Sequence, residues 1–218
     1  MFYQAENSNL LSGASSIPNS NFSSLSSNSY GLGIVRNNVD YLPNPSKGFR
    51  LSADISAGKR KSRPTQGDTL NISTIFRGNI NVEAFIPLTP RNVVRVANVT
   101  RSYYAPNIYQ NELYRFGGLN SQRGFNEQIL FATTLTTFTA EYRFLVDRNS
   151  HAFVFFDQTF YENNTEKYVK DHPFGFGLGF SFGTNLGIFS ISYALGKQFN
   201  NPIQIREGKV HFGYIAYF

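Results

Sequence analysis

The chain has 218 residues, including 22 Phe and 13 Tyr but no Trp or Cys, and its formal net charge is +6. This length allows one domain with a sizeable core, and the absence of cysteine excludes a disulfide framework and cysteine-ligated metal sites. No apolar run approaches the roughly 18 residues that indicate a membrane helix. Transmembrane strands are not excluded, because a barrel strand faces lipid on only one side.

Residues 1–28 are rich in Ser and Asn and have no apolar periodicity. We predict a loop or disordered arm for this segment. The first residues contain no basic stretch followed by an apolar one, so the sequence shows no signal peptide. Because an exported protein requires such a signal, we expect either a cytoplasmic protein or a portion of a longer chain.

Segments of the remaining chain alternate large apolar residues with small or polar ones, which is typical of strands with one apolar face. In FGFGLGFSFG at 174–183, every even position is Phe or Leu and every odd position is Gly or Ser. No comparable helical pattern is present. The predicted strands are 29–37, 47–57, 69–86, 92–104, 128–146, 151–161, 173–183, 187–197 and 208–218.

Several predicted strands match the roughly 9–11 residues that cross a bilayer at a tilt. Short turns alternate with the long polar loops 58–69, 105–128, 162–173 and 198–207, as in outer-membrane barrels. We therefore predict an all-β fold, an antiparallel transmembrane β-barrel. Bacterial barrels normally close with an even number of strands. Nine strands thus indicate a partial barrel or a tenth strand near the amino terminus.

Four basic residues lie close together in the predicted loop 58–69, namely Lys59, Arg60, Lys61 and Arg63. We predict that they belong to a solvated loop. The alternative is attraction to anionic lipid headgroups. The cluster has no interleaved aromatic residues, so nucleic acid is not an expected partner.

The most specific motif is FGGLNSQRGF at 116–125, near the end of the long loop 105–128. Gly124 allows a tight turn. If the loop folds back into a barrel, Arg123 can form an ion pair with a buried carboxylate. The alternative is that Arg123 is a surface-loop charge. Charged residues of the strands that share the inner face are expected to form a solvated network; they are Arg77, Glu83, Glu141 and Arg143.

These motifs make residues 29–218 resemble the carboxy-terminal barrel portion of the outer-membrane assembly-factor superfamily (bacterial surface antigen domain). That group includes BamA-like and TamA-like proteins and two-partner secretion transporters. In this family a long extracellular loop folds into the barrel lumen and carries a Val-Arg-Gly-aromatic motif. Arg123, Gly124 and Phe125 match it after the pair Gly117 and Gly118, with Gln122 where Val is common. Five strands follow the loop in the family and in this chain.

A second family motif, Phe-x-Asp-x-Gly, resembles Phe155, Asp157 and Thr159, with Thr in place of Gly. The resemblance implies that Arg123 reaches the lumen wall and pairs with Asp157. Strand alternation agrees, because it places Asp157 on the face opposite to Phe156.

The carboxy terminus resembles the signal by which outer-membrane proteins are recognised for assembly. His211, Gly213 and Phe218 match its polar, glycine and final aromatic positions, while Ala216 stands where an aromatic is usual. The resemblance implies that the chain holds about nine strands of a roughly sixteen-stranded family barrel, without the early strands and the upstream periplasmic POTRA domains.

Little in the sequence indicates an enzyme. The three histidines, His151, His172 and His211, lie in different elements without metal-ligand spacing. There is no nucleophile-elbow pattern and no glycine-rich phosphate loop before a helix. We expect no catalytic residues, no metal and no cofactor.

The resemblance implies a protein of the bacterial outer membrane that inserts or translocates outer-membrane or secreted proteins through a lateral seam and a lumenal loop. The expected partners are outer-membrane lipids, unfolded client proteins and periplasmic assembly partners that bind upstream domains. One alternative is a small structural or passive pore barrel. Another alternative is a soluble β-sandwich that acts as a binding module.

Overall fold

The computed structural model describes residues 1–9, 21–64, 70–165, 167–184 and 186–216. Strands form most of this part, with two single-turn 3-10 helices at Gln110–Glu112 and Ile205–Glu207. None of the described helices is long and apolar enough to span a membrane. The strands are β1 (Phe2–Ser8), β2 (Ser23–Val39), β3 (Gly48–Pro64), β4 (Asn71–Thr89), β5 (Asn92–Tyr104), β6 (Tyr114–Phe116), β7 (Leu130–Ala132), β8 (Thr134–Leu145), β9 (His151–Asn164), β10 (Tyr168–Asp171), β11 (Phe174–Thr184), β12 (Gly187–Lys197) and β13 (Lys209–Ile215).

Eleven strands form one antiparallel sheet in the order β1-β2-β3-β4-β5-β8-β9-β11-β12-β13, with β10 also paired to β9. Strands β6 and β7 form a separate hairpin within the long loop between β5 and β8. Within the described residues, β1 and β13 each pair on one side only, so they are the two edges and the sheet is not closed. The all-β antiparallel prediction is confirmed.

The two faces of the sheet differ sharply in polarity. On β9 the odd residues, such as Phe155 and Asp157, are buried, whereas Val154, Phe156 and Phe160 are exposed on the opposite face. Neighbouring strands continue this outer apolar face, since Phe156 lies opposite Phe176. No second sheet in the described part of the chain covers it, so the β-sandwich alternative is wrong. An uncovered apolar face of this size is what a lipid-facing barrel wall requires.

The small residues of β11 make room for aromatic rings on the inner face. A side chain at Gly179 would collide with the ring of Phe153, and a Cβ at Gly177 would lie 2.9 Å from Cζ of Phe155. These two rings pack with the buried Ala194 of β12. The glycines of FGFGLGFSFG therefore allow the rings of β9 to pack closely against the next strand.

The amino-terminal prediction is wrong where the structure describes it. Residues 1–28 were expected to be a loop or disordered arm, but β1 occupies Phe2–Ser8 and β2 begins at Ser23. Residues 10–20 lie outside the described residues. Backbone pairing along the whole of β1 stabilises these polar strands, and the Phe2 ring fills the space that a side chain at Gly31 would need. Strand β1 adds to the predicted strands, but within the described residues the sheet still does not close.

Two predicted boundaries also change. Strand β3 continues to Pro64, so the basic cluster lies in a strand and not in a loop. The predicted strand 128–146 is divided at Thr133, because β7 pairs with the loop strand β6 while β8 joins the main sheet.

We expect a charged side chain on the outer face to destabilise the protein most when it lies in the middle of a strand. Leu178 of β11 lies between Val154 and Tyr193 on this face, whereas Leu186 lies in the adjoining turn and is 73% exposed. Leu178→Arg should destabilise the protein in phospholipid vesicles by about 2–4 kcal/mol, and the matched Leu186→Arg by at most about 1 kcal/mol. Urea unfolding in vesicles measures both, and equal losses would contradict a lipid-facing wall.

Candidate functional site

The loop between β5 and β8 folds back over the inner face of the sheet. Its hairpin of β6 and β7 brings Phe116 and Leu130 against Leu135 of β8 and Tyr161 of β9, and Phe125 packs on the same cluster. The rings of Phe116 and Tyr161 meet edge to face with centroids 5.2 Å apart. This apolar contact fixes the base of the loop and directs residues 117–129 along the wall.

Glycines shape the tip of this loop. Gly117, Gly118 and Gly124 have φ values of +113°, +92° and +91°, a region that residues with a side chain rarely adopt. The Gly118 amide donates to the Gln122 carbonyl at 2.9 Å, and the Gly117 amide donates to the Ser121 hydroxyl at 2.8 Å. The turn is therefore closed by hydrogen bonds within the loop, and it directs Arg123 towards β9.

The structure brings Arg123 and Asp157 together in a buried, two-pronged ion pair. Nε and Nη2 of Arg123 each donate to one carboxylate oxygen of Asp157 at 2.7 Å. Asp157 is 1% exposed and Arg123 is 7% exposed. The alternative that Arg123 is a surface-loop charge is therefore wrong. Thr139 adds a hydroxyl hydrogen bond to Asp157 at 2.9 Å.

Glu141 of β8 completes the surroundings of the guanidinium. Nη1 of Arg123 donates to Glu141 at 2.7 Å, and the guanidinium carbon lies 3.5 Å from the centre of the Phe155 ring. Burial lowers the pKa of Arg123, but hydrogen bonds and charge from Asp157 and Glu141 outweigh it and raise the pKa above its ordinary value. The loop arginine thus stays charged and fully paired, which is the condition for a stable buried ion pair.

A chain of charges continues from Glu141 along the inner face. Arg143 donates to Glu141 at 2.7 Å, and Arg95 lies 3.6 Å from Glu141 and 2.5 Å from Glu83. Arg77 is separate and pairs with Glu6 of β1. The predicted solvated network is therefore wrong for Glu141, whose side chain is only 4% exposed. Its burial follows from the loop that covers it.

The two departures from the family motifs contact each other. The hydroxyl of Thr159 donates to Oε1 of Gln122, and the Gln122 amide donates to the Asp157 carbonyl at 3.2 Å. Both Gln122 and Thr159 are fully buried. Thr137 of β8 extends the chain through its hydroxyl, 2.7 Å from that of Thr159. A buried hydrogen bond thus joins the two positions at which this chain differs from the motifs that it resembles.

The loop tip also touches the last three strands. The Gly124 amide donates to Nε2 of His211 on β13 at 3.1 Å. A side chain at Gly175 of β11 would collide with the Arg123 carbonyl, and a Cβ at Gly196 of β12 would lie 2.6 Å from the Gly124 carbonyl oxygen. A Cβ at Gly213 would lie 2.7 Å from Leu119. His211 and Gly213 therefore contact the loop, whereas Phe218 lies outside the described residues.

A second buried ion pair holds the beginning of the loop, and the sequence did not suggest it. Nη1 of Arg60 on β3 donates to Glu112 of the 3-10 helix at 2.6 Å and to the Asn107 carbonyl at 2.8 Å. The Tyr103 hydroxyl donates to the other Glu112 oxygen. Strand alternation could have predicted this pair. If the predicted strand 47–57 is extended to Pro64, Arg60 falls on the face opposite to Lys59 and Lys61.

The arrangement of charges around Arg123 can position the loop against the wall. Every polar group of the Arg123 side chain has an acidic partner on the wall, and the described residues include no group of His, Asp and Glu that could hold a metal ion. Fixed charge pairs of this kind give geometric specificity.

The comparisons with known proteins agree with this geometry. The family model of the Omp85 superfamily domain matches residues 4–214, which is nearly the whole chain. No curated protein matches the chain significantly.

We expect Arg123→Ala to destabilise the protein by about 3–5 kcal/mol, because it leaves Asp157 and Glu141 buried without their partner. The matched control is Arg115→Ala in β6, an exposed loop arginine 5.4 Å from the Phe131 ring, which should cost about 0.5–1 kcal/mol. Urea unfolding in detergent micelles compares the two. A similar decrease in the free energy of unfolding for both variants would show that the ion pair of Arg123 does not stabilise the fold.

We expect Gln122→Val and Thr159→Val to be strongly non-additive. Each single change leaves one buried polar group without its partner and should cost about 1–3 kcal/mol. The double variant removes both groups and should cost less than the sum by roughly 1 kcal/mol. A double-mutant cycle of unfolding free energies measures the coupling, and an additive result would mean that the two side chains do not support each other.

Proposed function

The chain belongs to the Omp85 superfamily, whose members are outer-membrane barrels that insert or transport proteins, and we propose a mechanism for it. In this proposal the chain inserts or transports client proteins through a lateral seam in the barrel wall. In this proposal the last strand of the sheet, β13, forms one side of the seam. An incoming client strand pairs with one edge by β-augmentation. The loop with Arg123 lies in the lumen and braces the wall beside the seam.

The edge of the sheet is the observation that carries this proposal. Strand β13 pairs with β12 along Lys209–Ile215 and with no other described strand. An edge strand presents unpaired N–H and C=O groups, which can pair with another chain of almost any sequence. Such an edge is unfavourable in lipid unless a partner covers it, so a client strand that arrives there gains backbone hydrogen bonds.

The loop contacts support a bracing role. The loop binds β9 through Asp157, β8 through Glu141 and the edge strand through His211. The loop thereby connects the interior strands β8 and β9 to β13, the edge strand that binds the client in this proposal. A passive pore is less well supported, because the buried loop tip occupies the inner face where a pore would be open.

Site-specific photocrosslinking tests the seam. A photoreactive phenylalanine analogue replaces Phe212 on β13, and a control replaces Phe180 on β11; both are exposed on the outer face, at 64% and 38%. Phe180 lies on an interior strand with partners on both sides. During assembly of newly exported outer-membrane proteins, we expect crosslinks to clients from position 212 and not from position 180.

Two results would contradict the proposal. Equal crosslinking at both positions would indicate non-specific contact with membrane proteins. Folded protein without any client crosslink at position 212 would remove the β13 edge as the client-binding element.

A further inference from the structure

The pleat of β3 divides the basic cluster between the two faces of the sheet. Arg60 and Ser62 point inwards and are 2% and 1% exposed, and Arg60 binds Glu112 of the loop. Lys59, Lys61 and Arg63 point outwards and are exposed. We call these three residues the basic strip. Same-face residues of a strand lie about 7 Å apart, so the strip is about 13 Å long.

Among the residues that the structure describes, the basic strip has no acidic neighbour on its own face. Its three members form no ion pair with any described residue. On β2 the strip faces Asn28, Ser26 and Ser24, and on β4 it faces Thr74 and Ile72. Three cations bordered by amide and hydroxyl groups form a surface that is complementary to an anion.

The strip begins where the outer apolar face ends. Below Lys59 on the same face of β3 lie Ala57 and Ile55. Ala57 lies in a row of paired residues that is otherwise aromatic, with Tyr30 on one side and Phe76 on the other. Aromatic residues with basic residues beyond them mark the headgroup level of a membrane wall. The strip is at the end of the sheet with the long loops, which is the outer-leaflet side in such barrels.

An apolar groove lies directly beneath the strip. It has a volume of about 800 Å³, and its walls include Tyr30, Ile55, Phe76 and Tyr104. Its floor is Gly78 of β4, where an added Cβ would meet nothing within 4 Å. The groove is open to the lipid side, and it continues the surface of the strip towards the membrane interior.

We propose that the strip and the groove together bind an outer-leaflet lipid with a phosphorylated headgroup. The phosphates lie against Lys59, Lys61 and Arg63, and one acyl chain fills the groove above Gly78. This site is on the opposite face from the Arg123 loop, and its residues belong to strands other than the β13 edge. An acidic client segment would satisfy the strip alone, whereas the groove at the same position favours a molecule with an acyl chain.

Lipid binding tests the charge requirement. The full chain is placed in phosphatidylcholine nanodiscs that contain a small fraction of diphosphorylated lipid A, and bound lipid A is counted by native mass spectrometry. With Lys59, Lys61 and Arg63 all changed to Gln, we expect binding to weaken roughly a hundredfold, because each basic residue near an anionic surface contributes about fivefold. Dephosphorylated lipid A should bind the unmodified protein equally weakly.

A matched variant removes the same charge from the same end of the sheet. Lys167, Lys170 and Arg206 are exposed and are not part of the strip; changing all three to Gln should leave lipid A binding within about twofold. If both triple variants lose binding equally, the attraction is general and the proposal is wrong.

The groove is tested by Gly78→Leu, which places a side chain in it at a position where an added Cβ meets nothing within 4 Å. We expect about tenfold weaker lipid A binding while the strip keeps its charge. Heat-modifiable gel mobility confirms that each variant is folded. Unchanged binding in Gly78→Leu would overturn the acyl-chain site. Loss of lipid A binding on addition of millimolar inorganic phosphate would assign the strip to free anions and overturn the lipid proposal.

Discussion

The buried guanidinium of Arg123 is the group around which the inner face is arranged. Removing an arginine from water costs several kcal/mol, and the cost is offset only when all its donors meet acceptors in good geometry. Asp157 and Glu141 supply those acceptors from two adjacent strands, while Phe155 supplies a flat surface. The loop can approach so closely only because the facing strands carry glycine. Burying Arg123 with all its donors paired therefore requires both the small residues of β11 and β12 and the charges of β8 and β9.

Strand alternation predicted much of this arrangement because it is a property of the backbone. It placed Asp157 on the inner face and the Phe and Leu residues of β11 on the outer face, and the loop motif indicated the arginine that reaches Asp157. It failed for β1, in which only Phe2, Tyr3 and Ala5 are apolar and no hydrophobic period results. The burial of Glu141 could not be predicted either, since it depends on where a distant loop folds. Cross-strand contacts such as Gln122 with Thr159 likewise need the register, which sequence alone does not fix.

Strand β3 shows how one basic run can serve two environments. A loop would have left its four charges equivalent and solvated. In an extended strand, Arg60 instead enters the inner face and meets Glu112, while its neighbours at 59, 61 and 63 face the other way. The pleat thus gives adjacent basic residues different roles. Arg60 holds the loop through a buried ion pair, and its neighbours form a charged surface. The same reasoning explains why a single shift in register would be costly, since it would bury three cations without partners.

The hydrogen bond from Gly124 to His211 joins residues 87 positions apart in the chain. A contact of such long range can form only after the intervening strands have paired, because the entropy of closing the chain must be offset first. We therefore expect the bond to His211 to form after the final hairpin has paired, whereas the pairing of Arg123 with Asp157 and Glu141 requires only β8 and β9. The contact of Gly124 with β13 would then report that the last strand has joined a wall to which the loop is already bound.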